Sequence, residues 1–193
     1  MKSVTDVYFI LDFNWDGFSH WSLTQEEAEA LLATWIKQVP TRIDKFYDLM
    51  IFDGQKLGEG GFSSAELGLI ETFLLNESDL EITSKGREEY LNAFSFEICM
   101  DAAAVVGQMC INANPDLEWS LNMDVSSGPR FQSIGIVSSA TKEHMPIPMM
   151  ICEHVEETLK QRKSFLGRFK RIRPNVLLDI VTITSFVPES SDA

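Results

Sequence analysis

The stretch that decides the fold is the apolar segment from Gly86 to Asn112, which reads GREEYLNAFSFEICMDAAAVVGQMCIN. Its large apolar residues recur at steps of three and four, which is the spacing of one face of an α-helix. These residues are Leu91, Phe94, Ile98, Ala102, Val105 and Met109. Small residues at 102–104 and at Gly107 allow a neighbouring element to approach closely. The segment therefore predicts a long helix at the centre of the core.

The residues before this helix predict further helices. Thr24 and Glu27 form a capping-box pattern, and helical spacing then continues to about Phe52, with Pro40 ending or kinking the helix. A second capping box at Ser63 and Glu66 opens a helix that breaks at 76–78, before a short linker or strand at 80–82.

Most of the predicted strands come after the central helix. Residues 117–123 alternate in polarity and pair with 131–138 as a hairpin, while 4–13 and 176–187 are rich in strand-forming residues. A further helix is predicted for 149–163. This order predicts an α+β fold in which a helical N-terminal half packs on a small, mainly antiparallel sheet. We expect one domain over 1–187 and a flexible tail at 188–193.

Composition narrows the class of partner. The chain carries 29 acidic residues against 16 lysine and arginine residues, a formal net charge of −13. This charge makes nucleic-acid binding unlikely and favours a basic protein partner. The three cysteines, Cys99, Cys110 and Cys152, lie in apolar surroundings and are expected to be reduced core thiols. No uncharged run approaches the length of a membrane span, so we expect a cytoplasmic protein without membrane contact.

Catalytic motifs are not evident in the sequence. There is no Gly-x-Ser-x-Gly motif, and Cys152 and His154 are two residues apart, so they face different directions on a helix. Glu97 and Asp101 lie one helical turn apart, and we expect them to line a solvated or salt-bridged edge. An enzyme whose acid–base site assembles from Glu97, Asp101, His144 and His154 remains an alternative, as does an oligomeric structural or regulatory subunit.

Two predicted loops partly resemble known types of ligand site. Residues 12–17, DFNWDG, resemble the start of a calcium loop, but its closing position holds Leu23 instead of glutamate. The glycine cluster 58–61 lacks the lysine of a phosphate loop and contains Glu59. We therefore predict no metal site, no cofactor and no catalytic residue.

A basic segment follows the last predicted helix. Seven cations lie within residues 160–173 with no acidic residue between them: Lys160, Arg162, Lys163, Arg168, Lys170, Arg171 and Arg173. The segment either binds an anionic partner or folds back on the acidic surface of the same chain. The strongly acidic remainder favours the second interpretation.

Several short motifs follow one another between residues 62 and 163. They are SSAEL at 63–67 leading into IETFL at 70–74, Gly107-Gln108 in the long helix, Glu118-Trp119, and Pro146-Ile147-Pro148 before a helix. Their order resembles that of small uncharacterised bacterial proteins similar to toxin immunity proteins. Gln108 stands where that family has a glutamate. The resemblance implies a non-enzymatic binding protein.

The combined expectation is an immunity-type protein that neutralises a cognate, basic toxin by occluding it. The candidate contacts are acidic and aromatic residues on predicted loops or loop edges, where aromatic side chains ringed by charge make good anchors. They are Asp12, Trp15, Asp16, Phe18, Trp21, Asp53 and Glu59.

Overall fold

The structure is a computed structural model of the 193-residue chain, and it describes residues 23–52, 64–82, 89–124, 126–127, 132–163 and Leu177. The first predicted strand, at 4–13, and the tail at 188–193 lie outside these residues. Helices dominate the first half and most strands follow, in two small antiparallel sheets, so the predicted α+β class is confirmed.

The first helix, α1, spans Gln25–Phe52. Its predicted capping box is present: the Thr24 amide donates to Glu27 Oε2 at 2.7 Å, and the Glu27 amide donates to Thr24 Oγ1 at 3.2 Å. The helix does not end at Pro40. Buried residues lie on both sides of the proline, including Trp35 and Phe46, and their burial offsets the backbone hydrogen bond that proline cannot make.

Helix α2 spans Ser64–Glu77 and ends where the sequence predicts a break. The capping box expected at its start involves Ser63, which lies outside the described residues. Strand β1, Leu80–Ile82, then pairs with strand β2, Glu89–Leu91, in an antiparallel ladder. The strand alternative for 80–82 is therefore correct.

The central helix, α3, spans Ala93–Ala113, and the prediction that it begins at Gly86 is wrong. Two features explain the later start. Residues 89–91 pair with β1, and Asn92 caps the helix with its side-chain oxygen, which accepts from the Ser95 amide at 2.8 Å. The longer helix was predicted from apolar spacing alone, which does not mark where a helix begins, whereas the cap at Asn92 does.

The second sheet has the order β3-β4-β5, with all neighbours antiparallel. It contains β3 at Leu117–Leu121, β4 at Ile134–Ser138 and β5 at His144–Met145. The predicted hairpin is present. Strand β3 ends at Leu121 instead of residue 123, and strand β4 begins at Ile134 instead of residue 131. The two-residue β5 was not predicted, because so short a strand has no sequence pattern of its own.

Helix α4 spans Ile147–Lys163 and so begins two residues before the predicted start. Pro148 lies in its first turn, where the missing amide hydrogen has no helical partner to lose. Leu177 is fully buried and helical, so the strand predicted over 176–187 is wrong at the one residue of that range that is described.

Helix α3 is the centre of the core. It packs against α1 on one side and α4 on another, while α2 contacts both α3 and α4. The indole of Trp119 on β3 lies over Gly107 so closely that an added Cβ would stand 2.1 Å from its Cη2 atom. By length and composition α3 is the one described helix that could cross a membrane, and 78% of its most apolar window is buried inside the fold.

Candidate functional site

The loop residues chosen from sequence as partner contacts cannot be placed. Asp12, Trp15, Asp16, Phe18, Trp21, Asp53 and Glu59 all lie outside the described residues. The loops at 12–23 and 58–61 fall there too, apart from Leu23. The structure does describe three other features: the ionisable residues considered for catalysis, the first part of the basic segment, and the outer surface of α1.

Glu97 and Asp101 meet a buried arginine that the sequence analysis did not single out. Arg42 on α1 is fully buried, and its Nη1 lies 2.5 Å from Asp101 Oδ1 and 3.2 Å from Glu97 Oε2. Gln38 contributes its side-chain oxygen at 3.3 Å from Arg42 Nε, and the guanidinium lies 5.4 Å from the ring centre of Trp35. The expected salt bridge exists, but in the core rather than at a solvated edge.

The electrostatics of this cluster follow from its burial. Burial raises the pKa of Glu97, and the charge of Arg42 opposes that rise. Burial likewise lowers the pKa of Lys45, whose Nζ lies 3.9 Å from Asp101 Oδ2. Two cations and two carboxylates thus neutralise one another between α1 and α3.

A sequence signal for Arg42 does exist. Five of the buried residues of α1 follow one another at steps of four and three, namely Trp35, Val39, Arg42, Phe46 and Leu49. An arginine inside such a stripe must be paired, because an isolated charge in the core is very costly. The same signal applies to Glu71 on α2, which is four residues after the buried Leu67.

The two candidate histidines have separate partners. His154 Nε2 on α4 lies 2.9 Å from Glu71 Oε1 on α2, and both side chains are largely buried. His144 Nε2 lies 3.3 Å from the carbonyl oxygen of Ser120, and burial lowers the pKa of His144, which favours the neutral ring. The structure therefore brings Glu97 and Asp101 together and gives each histidine a partner outside that pair.

The cysteines are thiols. Cys99 and Cys110 are buried as predicted, while Cys152 is half-buried. A hydrogen bond with Cys99 and, as the second cause, burial raise the pKa of Cys152 well above its usual value. The thiol of Cys152 is therefore a poor nucleophile. Among the described residues, no group of three or more histidine, cysteine, aspartate or glutamate side chains is arranged to hold a metal ion.

The described part of the basic segment contacts the same chain. Lys160 Nζ lies 2.5 Å from Glu156 Oε1, and Lys163 Nζ lies 3.5 Å from Asp79 Oδ1. Arg162 Nη1 donates to the carbonyl oxygen of Leu75 at 2.9 Å. These three cations lie on α4, and each contacts a group of the same chain. The four cations from Arg168 onward lie outside the described residues.

The outer face of α1 combines exposed apolar and acidic residues. Ile36 and Ile51 are 46% and 60% exposed, and Asp44 and Asp48 lie between them on the same face at helical spacing. From residue 36 to residue 51 this face is about 22 Å long, at ~1.5 Å per residue. We call these four residues the α1 face. Lys37 is the one exposed cation of α1, and by helical spacing it lies on the same side of the helix as the α1 face. The other exposed charged residues of α1 are acidic: Glu26, Glu27, Glu29, Asp44 and Asp48.

Comparison of the chain with protein-family models, curated proteins and solved structures finds no match.

Proposed function

We propose that this protein is a non-enzymatic, immunity-type binding protein that occludes a basic protein toxin in the cytoplasm. The observation that carries the proposal is the α1 face, where two exposed carboxylates stand between two exposed isoleucines. Exposed apolar side chains supply affinity when a partner buries them, and complementary charge speeds encounter and selects the partner.

The internal contacts of the ionisable residues also support the proposal. Glu97 and Asp101 are tied to Arg42, and His154 is tied to Glu71. Groups held in this way contribute to the packing of helices against one another. The acidic residues that remain at the surface, such as those of the α1 face, are available to a partner.

The net charge of −13 defines the partner's chemistry. A basic toxin that acts on an anionic substrate, such as a nucleic acid, presents a positive cleft that an acidic surface can cover. Binding of this kind weakens with added salt because the charges across the interface are screened. The contacts predicted from sequence, Asp12, Trp15, Asp16, Phe18, Trp21, Asp53 and Glu59, belong to this proposal as well.

The test is affinity purification of the tagged protein from its native cells at low ionic strength, followed by expression of the recovered partner in a host cell. We expect a basic partner that stops growth when expressed alone and is tolerated when this protein is co-expressed. A partner without toxicity, or a purified protein that converts a substrate, would overturn the proposal.

Matched charge reversals locate the interface. Asp44→Lys with Asp48→Lys should abolish the rescue of growth. Asp116→Lys with Glu118→Lys makes the same change of charge at exposed positions at and just before β3 and should preserve the rescue. Equal loss in both double variants would show that general acidity, rather than the α1 face, holds the partner.

A further inference from the structure

A cavity of about 310 Å³ lies between α1, β2, α3, α4 and the residues that lead into β4. This volume is at the lower end of the range for small-molecule sites, ~300–1,000 Å³. Its walls are mainly apolar and include Leu31, Leu91, Phe96, Met100, Ile134 and Met149. The cavity therefore suits a small molecule with an apolar body.

One polar group in the cavity wall has an unused hydrogen-bonding position. Gln132 is only 3% exposed, and its Nε2 donates to the carbonyl oxygen of Leu23 at 3.0 Å, which fixes the orientation of the amide. Its Oε1 is buried and accepts no hydrogen bond within the part of the chain that the structure describes. This oxygen is sealed from the cavity as well as from solvent, so Gln132 forms part of the wall, and the selectivity of the cavity depends on the charged groups at its opening.

The backbone of Gln132 is also unusual. Its φ angle is 61°, in the left-handed region that side chains other than glycine seldom adopt. Its amide donates to the carbonyl oxygen of Asn122 at 2.6 Å, which holds this conformation next to the hairpin. Strained backbone of this kind is found more often at binding sites than elsewhere.

Two carboxylates from α4 line the same cavity. Glu156 accepts hydrogen bonds from Lys160 Nζ at 2.5 Å and from the amide of Leu91 at 3.4 Å, so its charge is partly compensated. Glu153 is exposed, and it forms no ion pair with any described basic side chain. The opening therefore carries negative charge, which favours a cation over an anion.

We propose that this cavity binds a small apolar molecule with a protonated amine at one end. The apolar body lies against Phe96, Met100 and Ile134, and the ammonium group lies at the opening of the cavity, next to Glu153. This inference is independent of the proposed toxin partner, which concerns the outer face of α1.

The probes are three molecules with the same chain and different ends: n-octylamine, n-octanol and n-octanoate. Isothermal titration calorimetry at neutral pH should rank their affinities as amine, then alcohol, then carboxylate. The amine supplies both a donor and a positive charge, and the alcohol supplies the donor alone. The carboxylate is repelled. Equal affinity for the amine and the carboxylate would overturn the proposal.

A matched pair of variants separates the cavity from the general acidity of the protein. Glu153→Gln should weaken the binding of n-octylamine roughly two- to fivefold, which is the effect of losing one exposed charge pair. It should leave n-octanol unchanged. Glu157→Gln, one helical turn away and exposed but outside the cavity wall, should leave both affinities unchanged. Equal effects of the two variants on the amine would show that it binds the acidic surface and would refute the site.

A second pair tests the cavity itself. Met149→Trp places a larger ring in the cavity and should abolish binding of all the probes, while Met150→Trp, at a half-buried position outside the wall, should not. If Met149→Trp fails to fold, the site can be located by measuring the amide chemical shifts of the unmodified protein with and without n-octylamine. Changes on adding n-octylamine should concentrate at the cavity wall, including Ile134 and Met149. Changes spread over α1 instead would overturn the proposal.

Discussion

Arg42 on α1 and Asp101 on α3 form an ion pair in which neither side chain is exposed to solvent. Glu97 and Lys45 extend this pair to a cluster of two positive and two negative residues. The cluster lies between α1 and α3, which form the most extensive helix pair of the described structure, so we expect it to favour one alignment of the two helices. Buried ion pairs contribute less to net stability than to the choice of one arrangement, since their desolvation opposes their attraction.

Replacing Arg42 alone should be severely destabilising. Arg42→Met leaves Asp101 and Glu97 buried without their main counter-charge, which should lower the free energy of unfolding by about 3–5 kcal/mol. Urea denaturation followed by circular dichroism measures this loss. Lys37→Met on the exposed side of the same helix is the control and should change stability by less than ~0.5 kcal/mol.

Removing the two carboxylates in the Arg42→Met background should restore part of that stability. The triple variant Arg42→Met, Glu97→Gln and Asp101→Asn contains no uncompensated acid at this place. If it were no more stable than Arg42→Met alone, packing of the arginine side chain, rather than its charge, would be the main contribution.

The raised pKa of Glu97 predicts a pH dependence with a definite sign. The folded protein holds this proton more tightly than the unfolded chain, in which the pKa is near 4.5. Glu97 is therefore most favourable to folding below that pH, and its contribution falls as pH rises from 4.5 through the raised value. The difference in free energy of unfolding, unmodified protein minus Glu97→Gln, should fall over this range.

Urea denaturation at a series of pH values from 4 to 8, roughly the range in which native proteins are most stable, measures this difference. Glu97→Gln keeps the size and polarity of the side chain, so the difference between the two proteins reports mainly on the charge of Glu97. A difference that instead rises with pH would show that the attraction of Arg42 outweighs burial and lowers the pKa of Glu97.

Gly107 and Gly68 offer a matched pair of glycines inside helices. A Cβ at Gly107 would overlap the Trp119 ring, so Gly107→Ala should lower the free energy of unfolding by about 1–3 kcal/mol. Nothing lies within 4 Å of a Cβ at Gly68, so Gly68→Ala should raise it by about 0.4–1 kcal/mol. Thermal unfolding compares the two variants directly.

A shift of the same sign in both variants would argue against the close packing of Trp119 on Gly107. As a further check, Trp119→Phe removes the ring atoms nearest Gly107. Adding it to Gly107→Ala should recover part of the lost stability if the overlap is the cause.

His154 should stabilise α4 on α2 through Glu71. His154→Ala removes the hydrogen bond to Glu71 Oε1, and Glu71 Oε2 already has no hydrogen-bond partner among the described residues. The carboxylate would then be largely buried without a donor, at a cost of about 1–3 kcal/mol. The exposed Glu157→Ala on the same helix is the control and should be nearly neutral.

The same variant bears on the enzyme alternative. If His154→Ala, combined with Glu71→Leu to remove the stranded carboxylate, recovers stability and still rescues cells from the toxin, the pair is structural. Loss of rescue by a protein of normal stability would instead assign His154 a direct part in function.

Local signals in the sequence were sufficient for most helix boundaries and for the β3–β4 hairpin. The Thr24–Glu27 capping box depends on atoms three residues apart, so the sequence alone shows it. The start of α3 was missed although its signal is local: Asn92 caps the helix, and the apolar spacing was extended past it. Strand β5 was missed because its pairing with β4 leaves no pattern in two residues.

The sequence by itself determined the α+β class, the central apolar helix and the acidic character of the surface, because each depends on composition or on spacing along the chain. Only the tertiary structure decided which charges are internal. Arg42 and Asp101 are 59 residues apart, and His154 and Glu71 are 83 apart. Whether a charged side chain on a helix is solvated or paired depends on the element packed against it, and the cavity beside Gln132 exists only where several elements converge.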